Sequence, residues 1–254
     1  MSQIQPSTPL LSIIIPVLHL TRAINPTRFF MPRQTIKNTL DDIKKNVKIP
    51  HEVIIICNGD DPKLHDFITT HPQITRYCIN SQNVGVARSW NMGAQMAEAP
   101  VLCYLNDDVS VGKGSLESLY EQLTADLQIG EIGPSGSYWK DCAHHRYVEG
   151  SAPISADVVL GFCFLMRATT FHELGGFDIN YSPAGCEEID MSYKIRAAGM
   201  KCIVDPSVPI KHYHHHGVSA YRVDITYLGK TIDTHTLHEH NTAYFRKKWA
   251  NVFP

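Results

Sequence analysis

The stretch from Val101 to Val111, VLCYLNDDVSV, decides the fold. Val101, Leu102, Tyr104 and Leu105 are strand formers with no polar face, the pattern of a strand buried on both sides of a sheet. The run then drives into Asn106, Asp107 and Asp108 and resumes at Val109. Taken alone, the polar triplet reads two ways. Asn and Asp are common turn formers, so it can be the turn after a strand. Two carboxylates at a strand end can equally be oxygen donors for a divalent cation and the phosphate it carries.

The chain around this stretch alternates. LLSIIIPV (10–17) and HEVIIICNG (51–59) read as two more buried strands, and ITRYCIN (74–80) as a third. Between them, TIKNTLDDIKKNV (35–47) places Ile36, Leu40, Ile43 and Val47 at helical spacing, and GVARSWNMGAQMAEA (85–99) reads as a second helix. Strand and helix alternating at this interval predict βαβ units around a mainly parallel sheet. Ligands of such sheets bind beyond the carboxyl ends of the strands. Asn58-Gly59-Asp60 and Asn106-Asp107-Asp108 both follow strands directly, so both are predicted on that rim.

Farther along, 115–128 reads as a helix, 130–139 as a glycine-rich connection, and 157–178 as an apolar strand running into a short helix ended by Gly175-Gly176. CEEIDMSYKIRAAG (186–199) reads as a helix whose first turn carries Glu187, Glu188 and Asp190 and which Gly199 closes. Residues 201–217 read as extended.

Composition narrows the function. With 254 residues, 43% hydrophobic and 19% charged, the chain can bury a sizeable core. A formal charge of −2 gives no electrostatic case for nucleic acid. No apolar run approaches the roughly 20 residues that cross a bilayer. The first residues lack a charged segment followed by an apolar core, which argues against a signal peptide. Seven cysteines are scattered without a CxxC pair, several inside apolar strands, which predicts free thiols and a cytoplasmic setting.

Three further groups carry chemistry. In SQNVGVARSWNMGAQMA (81–97), Arg88 and Asn91 share a helix face, and a tight loop with Asn83 and Gly85 enters that helix. The reading is either a capped helix packed on the sheet, or an anion site made of loop N–H groups with Arg88 beside them. Glu187 and Glu188 either complement the helix dipole or supply a general base, since a carboxyl held near another has raised proton affinity. In IKHYHHHG (210–217), an extended chain points Ile210, His212, His214 and His216 one way. The readings there are a zinc site, a polar surface strand, or one histidine joining the acidic metal site.

Taken together, NVGVARSWNMG, YLNDDV, GFCFLMRATTFHELGGFDINY with EEIDMSYKIRAAG, and NTAYFRKKW (241–249) resemble the inverting family 2 glycosyltransferases with the GT-A fold, of the rhamnosyltransferase-like, surface-polysaccharide type. The resemblance covers nearly the whole chain. It implies an α/β fold of one Rossmann-like, mainly parallel sheet flanked by helices, with a small antiparallel part on the acceptor side. A single domain over 1–254 would divide into a nucleotide-sugar half (10–110) and an acceptor half (111–254).

The implied reaction moves a hexose or deoxyhexose from a UDP- or dTDP-sugar to a hydroxyl of a glycan or glycolipid. Mn²⁺ or Mg²⁺ is the implied cofactor, peripheral membrane association is an option, and no nucleic acid is involved. Asp108 and His214 would hold the metal. Pro16, Asn58, Asp60, Asn83, Gly85, Arg88, Asn91, Asn106 and Asp107 would bind the donor. Glu188 would be the base, with Glu187 and Asp190 orienting it or touching the acceptor.

Three positions depart from the family pattern. Asn106 stands where an acid is usual. Cys57 replaces an aspartate that commonly reads the nucleobase, with Asp60 or Asp61 as stand-ins. The loop after the first strand is longer than the common form. Two other readings use the same fold: a catalytically silent domain that binds sugar nucleotide or a protein partner, and a nucleotidyltransferase. The latter expects a glycine-rich basic loop after the first strand, where this chain has VLHLTRAINP.

Overall fold

The computed structural model describes residues 8–21, 32–214 and 222–253. Its elements, in chain order, are β1 (Leu11–Val17), α1 (Ile36–Asn46), β2 (His51–Cys57), α2 (Pro62–Thr70), β3 (Arg76–Ile79), α3 (Val86–Met96), β4 (Val101–Leu105) and β5 (Val109–Val111). There follow α4 (Ser115–Ala125), β6 (Ile129–Gly133), β7 (Gly136–Lys140), β8 (Ala143–Tyr147), β9 (Ile154–Ala156), β10 (Val158–Val159), β11 (Cys163–Arg167) and α5 (Ala168–Glu173). The chain then forms α6 (Glu187–Ala197), β12 (Lys201–Val204), β13 (Ile210–His212), β14 (Asp224–Tyr227), β15 (Lys230–Asp233) and α7 (Thr234–Trp249).

An eight-stranded sheet runs in the order β3-β2-β1-β4-β11-β6-β12-β9. The βαβ half is parallel: β1 pairs with β2 and β4, and β2 with β3. Strand β11 then enters antiparallel between β4 and β6, and β9 closes the far edge antiparallel to β12. Residues alternate along each strand between two cores. On one face Leu11, Ile13 and Ile15 of β1 pack with Ile36, Leu40 and Ile43 of α1 and with Leu116, Leu119 and Leu123 of α4. On the other, Ile14, Ile54 and Ile56 meet Trp90 of α3, and Met191 and Ile195 of α6 belong to the same core. Helices therefore cover both faces, as the doubly apolar strands require. Three small antiparallel sheets, β10-β7-β8, β13-β5 and β14-β15, complete the described part.

Two expectations are corrected. The segment 130–139 is not a connection: β6 lies in the middle of the sheet and β7 begins a second one. Its glycines hid it. A Cβ on Gly130 would collide with Ile195 of α6, so this strand gives up a side chain to let the helix approach. The segment 201–217 is not extended throughout: β12 ends at Val204, a turn follows, β13 ends at His212, and 215–217 lie outside the described residues. Helix α2 had no strong periodic signal, yet Pro62 opens it and the Asp61 carboxylate accepts from the Lys63 N–H at 2.9 Å.

Candidate active site

The polar triplet after β4 sits where the strand order places it. The Asn106 N–H bonds to the Phe162 carbonyl at 2.9 Å, which closes the β4–β11 pair. The chain then turns through Asp107 and Asp108 into β5, which leaves the large sheet. Helix α1 anchors that turn: the Thr39 hydroxyl lies 3.0 Å from the Asp107 carbonyl and 2.9 Å from that of Val109. Strand β5 pairs antiparallel with β13, with Val109 opposite His212, and the Tyr213 N–H bonds to the Asp108 carbonyl at 3.0 Å. This register brings the His212 Nε2 to 3.2 Å from the Asp108 Oδ1. The Phe162 ring stacks on the His212 ring, with centroids 4.8 Å apart and planes at 15°, and so fixes the imidazole's orientation.

Asp108 and His212 face a cavity of about 900 Å³, within the range of small-molecule sites. Pro16, Asn58, Asn83 and Gly85 line it from the rim of β1, β2 and the loop before α3. Asn106, Asp107 and Asp108 line it after β4, Glu187 and Glu188 at the start of α6, and His214 beside His212. The two histidine rings are 5.4 Å apart. His212, not singled out from sequence, makes the contact to Asp108. The pairing of His212 with Val109 sets that contact, and His214, the histidine expected from sequence, lines the same cavity.

Five residues that the sequence offered lie outside the cavity lining. Asp60 is exposed and outside the cavity lining, and Asp61 caps α2. The Arg88 guanidinium donates to the Ser182 Oγ and the Tyr227 hydroxyl. Asn91 is absorbed by the backbone of Phe177, donating at 2.9 Å and accepting at 2.8 Å. Asp190 is fully buried, accepting from the Trp249 Nε1 at 2.8 Å and the Tyr181 hydroxyl at 3.1 Å and pairing with Lys248, so it ties α6 to α7. Two N–H groups at the start of α3 are taken by protein acceptors. Gly85 donates to the Asn83 Oδ1 at 2.9 Å, and Val86 to the Pro183 carbonyl at 2.8 Å. Helix α3 begins after Gly85, without a side-chain cap.

Loop 181–185, which delivers Glu187 and Glu188, is held from α7. The Asn241 amide donates to the carbonyls of Tyr181, Ala184 and Gly185 at 2.8, 3.0 and 2.9 Å. Burial raises the proton affinity of both glutamates, and the neighbouring Glu188 charge pushes Glu187 well above the usual carboxyl range. A third acid lies beneath them. Glu131, 1% exposed on β6, accepts from the Ser192 hydroxyl, and burial pushes its carboxyl up to about 7.

The folded protein therefore holds the Glu131 proton more tightly than the unfolded chain does. The penalty for a buried charge builds between about pH 4.5 and 7 and persists above, worth roughly 3 kcal/mol at 1.36 kcal/mol per unit. Denaturation of Glu131→Gln beside the wild type should show a relative stability gain that grows across that window. An equal difference at pH 5 and pH 8 would contradict it.

Among the described residues, no group of three or more His, Cys, Asp or Glu forms a complete metal cluster. The pair nonetheless fits a hard divalent cation. Two donors at right angles around a cation with bonds of about 2.1 Å lie about 3.0 Å apart, close to the 3.2 Å between Asp108 and His212. Phosphate oxygens would supply the remaining positions, which is how Mg²⁺ and Mn²⁺ commonly sit with few protein ligands.

Residues 26–172 match the family model described as Glycosyl transferase family 2, more than half of the 254-residue chain. The chain belongs to this family. The match contains the Asp107-Asp108 turn, while Glu187 and Glu188 lie beyond it. This family 2 domain is 26% identical over 189 residues to polypeptide N-acetylgalactosaminyltransferase 4 of Caenorhabditis elegans, covering 63% of this chain and 32% of that protein. It thus spans about a third of the length of that relative. The structure of GalNAc-T7 with UDP, GalNAc and Mn²⁺ has a TM-score of 0.65 at 18% identity, covering 82% of this chain and 44% of its own. The mannosyltransferase PcManGT of Pyrobaculum calidifontis, in complex with GDP-Man and Mn²⁺, has a TM-score of 0.57 at 17% identity, covering 80% and 56%. These likenesses show the family 2 domain to have the GT-A fold. No helix among the described residues is long and apolar enough to cross a membrane.

Proposed function

We propose that this domain is an inverting glycosyltransferase that moves a hexose or deoxyhexose from a UDP- or dTDP-sugar to an acceptor hydroxyl. The acceptor is a glycan or glycolipid of the kind built into bacterial surface polysaccharide, as in rhamnosyltransferase-like enzymes. One observation carries the reading: the Asp108–His212 pair and the Glu187–Glu188 pair, far apart in sequence, line one cavity at the carboxyl rim of the sheet. The relatives' names add support, since one is a polypeptide N-acetylgalactosaminyltransferase and one neighbour was solved with UDP and Mn²⁺.

Asp108 and His212 would hold a divalent cation such as Mn²⁺ or Mg²⁺, and His214 stands beside them. Such a cation neutralises charge on a departing nucleoside diphosphate. Glu188 takes the proton of the acceptor hydroxyl as that oxygen attacks the anomeric carbon. A carbon–oxygen bond forms there while the bond to the diphosphate breaks, and a single displacement of this kind inverts the centre. Burial of Glu188 raises its basicity towards the working pH. Pro16, Asn58, Asn83, Gly85, Asn106 and Asp107 shape the donor side of the cavity.

Gly161 gives this base its place. A Cβ at 161 would stand 2.9 Å from the Glu188 Cγ and 3.1 Å from its Cβ, so the side chain would have to swing aside. Gly161→Ala should leave donor affinity near the wild-type value and lower the transfer rate on the order of 10²-fold, the cost of a misplacement of about 1 Å. Steady-state kinetics with donor titration checks the split, and an unchanged rate would refute the placement.

The reading itself is tested by hydrolysis and transfer across UDP-, dTDP- and GDP-sugars, with and without Mn²⁺. Metal-dependent turnover of a UDP- or dTDP-sugar is expected. Neither turnover nor saturable binding with any donor would overturn it. Binding without turnover would favour the silent domain.

A further inference from the structure

The proposed reaction uses one base, yet two glutamates face the cavity from the start of α6. Glu187 is the more deeply placed, 5% exposed. The backbone N–H groups of Gly185 and of Glu187 itself bond to its carboxyl. Its Oε2 is sealed from bulk solvent and has no hydrogen-bond partner among the described residues. Glu187 nevertheless lines the cavity, beside Gly185, Glu188, Leu237 and His238. An unpaired polar oxygen in that position is costly unless a ligand completes it.

Burial and the Glu188 charge favour a neutral Glu187 carboxyl and outweigh the two backbone N–H groups, which favour the carboxylate. Its own helix offers Glu188 and Asp190, both acids, and the helix is preceded by Cys186, whose thiol burial pushes up to about 12. From α7, the His238 ring approaches Gly185 and the Asn241 amide is taken by loop carbonyls. Desolvation, and then the charge of Glu188, drive the Glu187 proton affinity well upward. A protonated carboxyl has one O–H donor, and the oxygen free to carry it is Oε2.

We propose that Glu187 is a hydrogen-bond donor rather than a second base: its Oε2–H donates to an oxygen of the transferred sugar, while Glu188 alone accepts the acceptor's proton. The inference rests on the cavity being a nucleotide-sugar site. The sugar is the partner, rather than the nucleotide, because Glu187 lines the same cavity as Glu188, which must reach the oxygen attacking the anomeric carbon. A sugar hydroxyl and an acetamido carbonyl both present the required acceptor oxygen.

The test is calorimetric titration of UDP, UDP-glucose and UDP-N-acetylgalactosamine with Mn²⁺ into wild type, Glu187→Met and Glu187→Gln. Thermal melts verify that each variant is folded. The methionine variant should lose about tenfold in affinity for the UDP-sugar that wild type binds, the scale of one lost hydrogen bond, and little for UDP. The glutamine variant, which keeps a donor without a titratable proton, should recover most of that loss. In wild type the advantage of UDP-sugar over UDP should shrink as pH rises and Glu187 ionises, and in Glu187→Gln it should not. A glutamine variant as weak as the methionine one would show that a carboxylate is required and would overturn the proposal. So would a methionine variant that binds the UDP-sugar like wild type. Wild type that binds neither UDP nor either UDP-sugar, and no dTDP- or GDP-sugar titrated beside them, would bring down the nucleotide-sugar reading, and this inference with it.

Discussion

Asp108→Asn is expected to lose metal-dependent donor binding while the protein stays folded. Asp108 is 2% exposed, and its side chain meets His212 across the β5–β13 pair. Asparagine keeps the shape and the turn but removes the negative charge that attracts a divalent cation. Without that charge, His212 is left as a neutral donor with weak hold on a hard metal. Stabilisation of a departing diphosphate by a bound cation is worth several kcal/mol, so transfer should fall on the order of 10³-fold or more, at about 1.4 kcal/mol per decade. Excess Mn²⁺ should restore little of it. Kinetics over a Mn²⁺ titration decides the matter: an unchanged Mn²⁺ dependence would remove Asp108 from the metal site.

Glu188→Gln is expected to behave in the opposite way, keeping metal-dependent donor binding and losing transfer. The side chain lies against Gly161 at the mouth of α6, and the amide fills the same space. What disappears is the ability to take a proton, a contribution of about 10² to 10⁴ in rate for a placed general base. The pH profile adds a second readout. Burial raises the Glu188 proton affinity, so wild-type transfer should climb with pH through a step above the ordinary carboxylate range. The sign follows from the role: the protonated carboxyl is inactive, and activity appears as the proton leaves. In Glu188→Gln that step should vanish. A loss smaller than tenfold, with the step intact, would assign the base elsewhere.

Much of this was legible because burial on both sheet faces leaves a plain signature. LSIIIPV, EVIIIC and VLCYL have no polar alternation, and strands of that kind require helices on both sides. Their carboxyl ends then had to share a rim, which placed Asn58 and the Asn106–Asp108 triplet together. What stayed hidden was set by tertiary register. His212 meets Asp108 only because Val109 pairs with His212 across about a hundred residues of chain, and local alternation contains no trace of that pairing. Strand β6 was hidden by glycines that exist for the approach of α6. Arg88 and Asn91 share a helix face as their spacing implies, yet that face grips Ser182, Tyr227 and Phe177 rather than the cavity. Spacing fixes which side chains are neighbours on a helix. It does not fix what the helix packs against.

The central claim is that Asp108 and His212 form a cation site completed by a nucleoside diphosphate. Calorimetric titration of UDP and of dTDP into the wild-type protein, once with Mn²⁺ and once with a chelator, tests it most directly. The structure predicts saturable binding with Mn²⁺ that is lost in the chelator. Equal affinity in the two conditions, or no binding in either, would contradict it.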